Sequence, residues 1–236
     1  MTGTPVEVAP VDVAIVGGGL AGGLIALALA ARRPDLRLLL IEEGARFGGN
    51  HIWSFFSGDL APADRWLVAP LVCHAWDGHR VCFADHARDL PGGYNSIESE
   101  RLDAALRHAL PPQALLTEAA AEVVTATSVH LADGRTISAG GVIDARGPAD
   151  LSRLDLGYQK FAGSLLELDA PHGLARPIIM DARVDQTDGY RFAYVLPFGP
   201  GSVFVEDTYY SESPELDLPL LKQRIAAYAA GQGWRV

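Results

Sequence analysis

Three glycines at Gly17-x-Gly19-x-x-Gly22 lie between an apolar β-type run and a helical run, and this placement narrows the fold more than any other feature. Val11-Asp12-Val13-Ala14-Ile15-Val16 is rich in β-branched residues and reads as a buried strand. Residues 20–32 read as a helix closed by Arg32, Arg33 and Pro34, and Leu36 to Ile41 as a second apolar strand. This is a βαβ unit of about 30 residues, the size expected of a parallel pair with its crossover helix. In such a unit Gly17 allows the tight turn, Gly19 lets the backbone approach a pyrophosphate, and Gly22 lets helix and strand pack closely. The helix N-terminus offers free N–H groups to the phosphates. Glu42 follows Gly22 by 20 residues at a strand end, where a carboxylate accepts from ribose hydroxyls and repels a 2′-phosphate. The pattern predicts a dinucleotide site, disfavours NADP, and leaves NAD and flavin open.

A competing reading is a membrane span, since the 19 residues Val13 to Ala31 carry no charge. Consecutive glycines would weaken such a helix at its middle, and the acidic flank before it is no signal-peptide start. The net charge of −10 argues against nucleic acid and against a simple electrostatic grip on anionic lipid. Cys73 and Cys82 make no disulfide scaffold and read as reduced thiols of a cytoplasmic protein. Cys73, His74, His79, Cys82 and His86 invite a zinc test, but their spacing matches no paired knuckle and strand alternation scatters them, so no metal is expected.

Further along, 44–57 reads as a loop and 66–83 as short strands. Ser99 is expected to cap a helix running to about Leu110, and Asp133-Gly134 marks a hairpin. Residues 141–147 read as a strand ending in a turn. Runs at 159–169, 177–184, 190–197 and 202–209 read as strands, and 218–231 as a helix. The expected class is α/β: a Rossmann-like dinucleotide-binding domain over 1–155 and a β-rich antiparallel substrate domain over 156–236, with interleaved segments.

Two stretches favour flavin. Ile143-Asp144-Ala145-Arg146-Gly147 resembles the second cofactor-contacting stretch of FAD-dependent hydroxylases and reductases, and Arg101-Leu102-Asp103-x-x-Leu106 resembles the arginine-bearing helix of that group. From the residues alone, Asp144 reads equally as a turn carboxylate and Arg101 also as a solvated helix charge. Longer strings are more specific. Gly48-Gly49-Asn50-His51-Ile52-Trp53-Ser54-Phe55, Pro177 to Gln186, Gly189-Tyr190-Arg191-Phe192, Leu196-Pro197 and Val205-Glu206-Asp207-Thr208-Tyr209-Tyr210 together resemble bacterial lycopene β-cyclases over nearly the whole chain. The chains of that family run well past residue 236, so a third cofactor-contacting stretch and much of the lipid-facing surface are expected beyond it.

The resemblance implies FAD held in reduced form, with NAD(P)H as its reductant, and Gly17, Gly19, Gly22, Glu42, Asn50, His51, Arg101, Asp144 and Gly147 as cofactor contacts. Read by itself, His51 fits a loop hydrogen bond as well. The implied reaction closes the ends of lycopene, or of related acyclic carotenes, into β-rings with no net redox change. Ring closure needs a proton delivered to an alkene, a stabilised carbocation and loss of a different proton. A carboxyl kept protonated in an apolar pocket suits the first step. Glu206 follows the apolar run Val203-Phe204-Val205, and the resemblance assigns it the acid or base role; without that, a strand carboxylate facing water fits equally. Asp207 points to the other face and is expected to pair with backbone or Arg. Trp53, Phe55, Tyr190, Phe192, Tyr194 and Tyr209 are cation-stabilising candidates, or core. An insoluble hydrocarbon substrate implies peripheral attachment to a membrane from the cytoplasm. A monooxygenase or reductase of the same fold, or a non-catalytic FAD-binding fragment, are the alternatives.

Overall fold

The computed structural model describes residues 7–147, 151–187 and 189–236. The chain begins with β1 (Glu7–Val16), α1 (Leu20–Arg32), β2 (Leu38–Ile41), β3 (Ile52–Phe56), α2 (Arg65–Val68), β4 (His74–Phe83) and β5 (His86–Glu98). It continues with α3 (Ser99–Ala109), β6 (Leu115–Leu116), β7 (Ala121–Val124), β8 (Ser128–Leu131) and β9 (Thr136–Asp144). It ends with β10 (Tyr158–Glu167), β11 (Ile178–Asp181), β12 (Arg191–Gly199), β13 (Ser202–Ser211) and α4 (Leu218–Gly231). Two compact units result. Unit 1 is Met1–Phe55, Leu60–Cys73 and Ser96–Leu151; unit 2 is Phe56–Asp59, His74–Asn95 and Ser152–Val236. The chain therefore passes between units several times.

Unit 1 holds a sheet in the order β6-β2-β1-β9-β8-β7. β2 and β9 both run parallel to β1, with Val16 opposite Ile41 on one side and Asp144 on the other. Ile15, Leu40, Ala26, Leu102 and Leu106 form a core on one face; Ala14, Val16, Leu39, Ile41, Val129 and Ile137 form one on the other. Burial on both faces explains why Leu38 to Ile41 is continuously apolar rather than alternating. The span reading of 13–31 fails here: β1 ends at Val16 and α1 has 13 residues, and among the described residues no helix is long and apolar enough to cross a membrane. Asp133-Gly134 does turn the β8–β9 hairpin, with Gly134 at φ 87°.

In unit 2, β10, β13, β12 and β11 pair antiparallel in turn, and β11 runs parallel to β4. Along β13, Val203, Val205, Asp207 and Tyr209 are buried, and Val203 and Val205 pack with Ile225 of α4. Phe204, Glu206, Thr208 and Tyr210 take the other face.

Several local expectations change. The stretch expected as a loop contains β3, because Ile52, Trp53 and Phe55 favour strand once a partner strand is present. Residues 65–71 are helical turns rather than strand, and β5 runs through Pro91, Gly92 and Gly93, residues that by themselves disfavour a strand. The N-cap of α3 is Glu98, not Ser99, and no side chain caps it. Residues 141–144 are the end of a continuous β9, not a separate strand.

Candidate functional site

The glycine turn is built as its spacing requires. Gly17 sits at φ 101°, a conformation that only glycine adopts without strain, and a Cβ there would lie 2.8 Å from the Ala145 carbonyl carbon. A Cβ on Gly22 would meet the Gly17 carbonyl oxygen at 2.0 Å, so glycine alone lets α1 start this close to β1. Gly19 is the N-cap of α1, uncapped by any side chain, and a Cβ there would have no atom within 4 Å. The helix therefore presents unpartnered N–H groups toward open space, the arrangement that binds phosphate. A cleft of about 350 Å³ opens there, lined among others by Gly17, Gly19, Glu42, His51, Ala145 and Arg146. Its size lies at the lower end for a ligand pocket.

Glu42 has a second task that its position at the end of β2 did not reveal. Its Oε2 accepts from Gly18 N–H at 2.7 Å and its Oε1 from Gly44 N–H at 2.8 Å. It thereby braces the turn while each oxygen keeps a lone pair for a ribose hydroxyl. Phe47, 1% exposed, lies where a Cβ on Gly18 would be, 2.4 Å from its Cδ1. Asp103 accepts from Phe47 N–H at 2.9 Å and so ties this loop to α3.

The other cofactor-contact candidates are placed as follows. His51 lines the cleft, as does Gly49, which was not among the candidates; Asn50, between them, is exposed and does not. Asp144 binds the backbone N–H and guanidinium of Arg146, which holds its carboxyl below the usual range, and this makes it a turn carboxylate in the structure. Arg146 also donates to the Ala121 carbonyl at 2.8 Å and lines the cleft. Gly147 follows at φ 86° with open space around it. Arg101 is exposed in the first turn of α3 and does not line the cleft. Sequence reasoning missed Glu43, Gly48 and Arg146 as lining residues; Glu43 and Arg146 neighbour residues already singled out, which was the available signal.

Unit 2 carries a different chemistry. Glu206 lies opposite Gly163 of β10 and Tyr194 of β12, on the face away from α4. Burial pushes its carboxyl pKa up, the neighbouring Asp207 charge adds to this, and the Thr208 hydroxyl, donating at 2.6 Å, opposes it. Phe192 and Tyr194 share that face; Tyr194 and Tyr94 join their hydroxyls at 2.7 Å. Tyr209 does not share it. It points to the α4 side, where Lys160 Nζ lies 4.9 Å from its ring centroid, so its ring already faces a cation. Trp53 and Phe55 pack against the unit 1 core. Asp207 is buried against the Arg191 guanidinium, whose Nε donates at 3.0 Å, with Arg224 at 3.9 Å. Cys82 belongs to the α4-side core, and among the described residues no group of three or more His, Cys, Asp or Glu side chains could hold a metal ion.

Comparison with known proteins places the chain. It is 48% identical over 213 residues to the lycopene beta-cyclase of Pseudescherichia vulneris, covering 90% of this chain and 55% of the relative. It is 46% identical to that of Pantoea ananas, covering 90% and 56%. The chain thus spans about half the length of the curated relatives it matches. Among solved structures, a flavin-dependent halogenase from Xanthomonas campestris superposes with a TM-score of 0.64 at 14% identity, over 92% of this chain and 58% of that one. A geranylgeranyl bacteriochlorophyll reductase-like protein from Thermoplasma acidophilum gives 0.62 at 17%, over 94% and 62%. These likenesses show the expected α/β fold of FAD-dependent hydroxylases and reductases. The family model described as lycopene cyclase protein matches residues 12–236, and the chain belongs to that family.

Proposed function

We propose that this protein is a lycopene β-cyclase: it closes the ends of lycopene, or of related acyclic carotenes, into β-rings with no net redox change. The observation that carries the reading is Glu206, a carboxyl kept toward its protonated form by burial on an aromatic sheet face. Unit 1 would be the FAD-binding part and unit 2 the substrate part. The cradle fits the cofactor, because the space at Gly19 and the bare N-terminus of α1 suit a pyrophosphate. Gly17, Gly19 and Gly22 would hold the phosphates and Glu42 the ribose, with His51 and the turn Asp144-Ala145-Arg146-Gly147 beside them, while Asn50 and Arg101 lie outside the cleft itself. Bound in reduced form, with NAD(P)H as reductant, the flavin would supply negative charge beside a cation or a partner in proton transfer.

The chain's own residues do the rest. The protonated Glu206 carboxyl delivers a proton to the terminal alkene, and the carboxylate left behind takes up a different proton from the closing ring, so the acid is restored and substrate and product have the same composition. Tyr194 and Phe192 present rings on the same face, where a carbocation gains from their quadrupoles. The apolar surroundings exclude water that would trap the cation. An insoluble substrate calls for peripheral attachment at the cytoplasmic side of a membrane, and the exposed Phe161 and Leu165 of β10 support contact with hydrocarbon.

The test is reconstitution. The purified protein, beside a full-length relative, receives lycopene in liposomes and reduced FAD without oxygen. The expected product has β-rings and the mass of its substrate, with no stoichiometric use of NADPH or oxygen. A product of higher mass, or lycopene returned unchanged while the relative cyclises it, overturns the reading.

A further inference from the structure

We propose that four stacked rings of unit 2, those of Phe204, Phe198, His74 and Trp76, beginning at Phe204 on the Glu206 face, form a rail that binds the extended conjugated chain of a polyene. This rests on the reading above and names the part of the site that grips the substrate's chain rather than its reacting end.

The rings come from β13, β12 and β4, yet they lie nearly parallel. Phe204 and Phe198 have centroids 6.1 Å apart and planes 14° apart. Phe198 and His74 stack at 4.0 Å and 3°. Trp76 closes the group, 5.9 Å and 16° from His74 and 6.4 Å and 14° from Phe198. All four are half-buried, so the rail is fixed by packing while part of each ring stays accessible. It starts beside the acid, because Phe204 precedes Glu206 by two residues on β13 and shares its face.

Gly163 seats the rail. It lies directly opposite Glu206, and a Cβ there would come within 2.1 Å of Phe204 Cζ. The ring thus occupies the space that any side chain at 163 would take. Phe161 and Leu165 flank Gly163 on the same face, 49% and 55% exposed, so the surroundings are apolar on that side too. A conjugated chain is flat and stiff. Such a chain loses little conformational freedom on a rigid row of rings and gains offset contacts with each. A saturated chain has neither advantage.

The probe is all-trans-parinaric acid, a straight conjugated tetraene, whose binding is read by energy transfer from tryptophan. Phe198→Ala should weaken its Kd about tenfold or more, and Gly163→Ala, which displaces Phe204, several-fold. Trp76→Phe should lower energy transfer, the other three tryptophans carrying what remains, while keeping Kd within about twofold. Glu206→Gln should leave Kd equally unchanged. In cyclisation assays Phe198→Ala should raise KM for lycopene and spare kcat. Phe198→Leu, which keeps bulk without the ring, should bind between wild type and Phe198→Ala, and retained circular dichroism identifies the folded variants. Unchanged Kd in both Phe198→Ala and Gly163→Ala overturns the proposal. So does displacement of the probe by squalane, a saturated hydrocarbon, as effectively as by a second polyene. If the probe binds and Phe198→Ala abolishes it while lycopene is never cyclised, the rail stands and the cyclase reading falls.

Discussion

At the glycine turn of unit 1, the groups offered to a ligand are backbone N–H groups from neighbouring residues at the start of α1. Around Glu206 in unit 2, the groups proposed for a ligand are side chains from neighbouring strands, brought together across the sheet. The first site depends on the absence of side chains: Gly17 and Gly22 work because a Cβ would strike the Ala145 carbonyl carbon or the Gly17 oxygen. The second depends on what surrounds one side chain. Partial burial raises the Glu206 pKa, which suits the acid role proposed for it, while its neighbour Asp207, one residue on and facing α4, is held in an ion pair. A backbone site is set by local geometry; a side-chain site is set by its neighbours.

That contrast can be broken at four points. The largest effect is expected from Glu206→Gln, which removes the acid without its shape: kcat for cyclisation should fall about 10²- to 10⁴-fold with flavin content unchanged. Near-normal turnover in that variant would remove the chemical half of the comparison. Asp207→Ala leaves Arg191 buried without its carboxylate and should cost about 3–5 kcal/mol in denaturant unfolding. If it instead behaves like Glu206→Gln, losing turnover at full stability, the two faces of β13 are not distinct in role.

Gly22→Ala should destabilise unit 1 by about 1–3 kcal/mol and lower flavin content, because the new methyl meets the Gly17 carbonyl. Full flavin retention would show that the turn adapts. The smallest effect concerns pH. The folded pKa of Glu206 is raised, so the protonated form is the one folding favours. Its contribution to stability is complete below the ordinary glutamate pKa and disappears as pH rises through the raised value. Wild type should therefore lose stability relative to Glu206→Gln over that interval, measured as the difference between their unfolding curves; parallel curves would mean that the buried carboxyl is not held protonated.

Much of unit 1 was legible because its signals are local. The strand, the three glycines and the helix follow one another within residues 11–32, and the short-range sterics that demand glycine act between adjacent segments. What was not legible depended on partners. β3 and β5 pair within one sheet, and neither has a composition that declares it alone. Glu42 was recognisable as an acid at a strand end, but its hydrogen bonds to Gly18 and Gly44 need the turn and the loop to meet. Asp144 was equally a turn carboxylate or a cofactor contact on paper, and in the structure Arg146 occupies it.

For Glu206, the alternation along β13 alone put Asp207 on the opposite face, because side chains change sides at every residue whatever the fold. The family strings named it as the acid or base. Only the tertiary structure showed Gly163 and Tyr194 across from it and a parallel row of rings beginning at Phe204. The sequence thus determined the phosphate cradle and the sidedness of each strand, both products of chain geometry over a few residues. The burial that raises the Glu206 pKa, and the alignment of rings from distant strands, come from strand register and packing, which exist only once the sheet has closed.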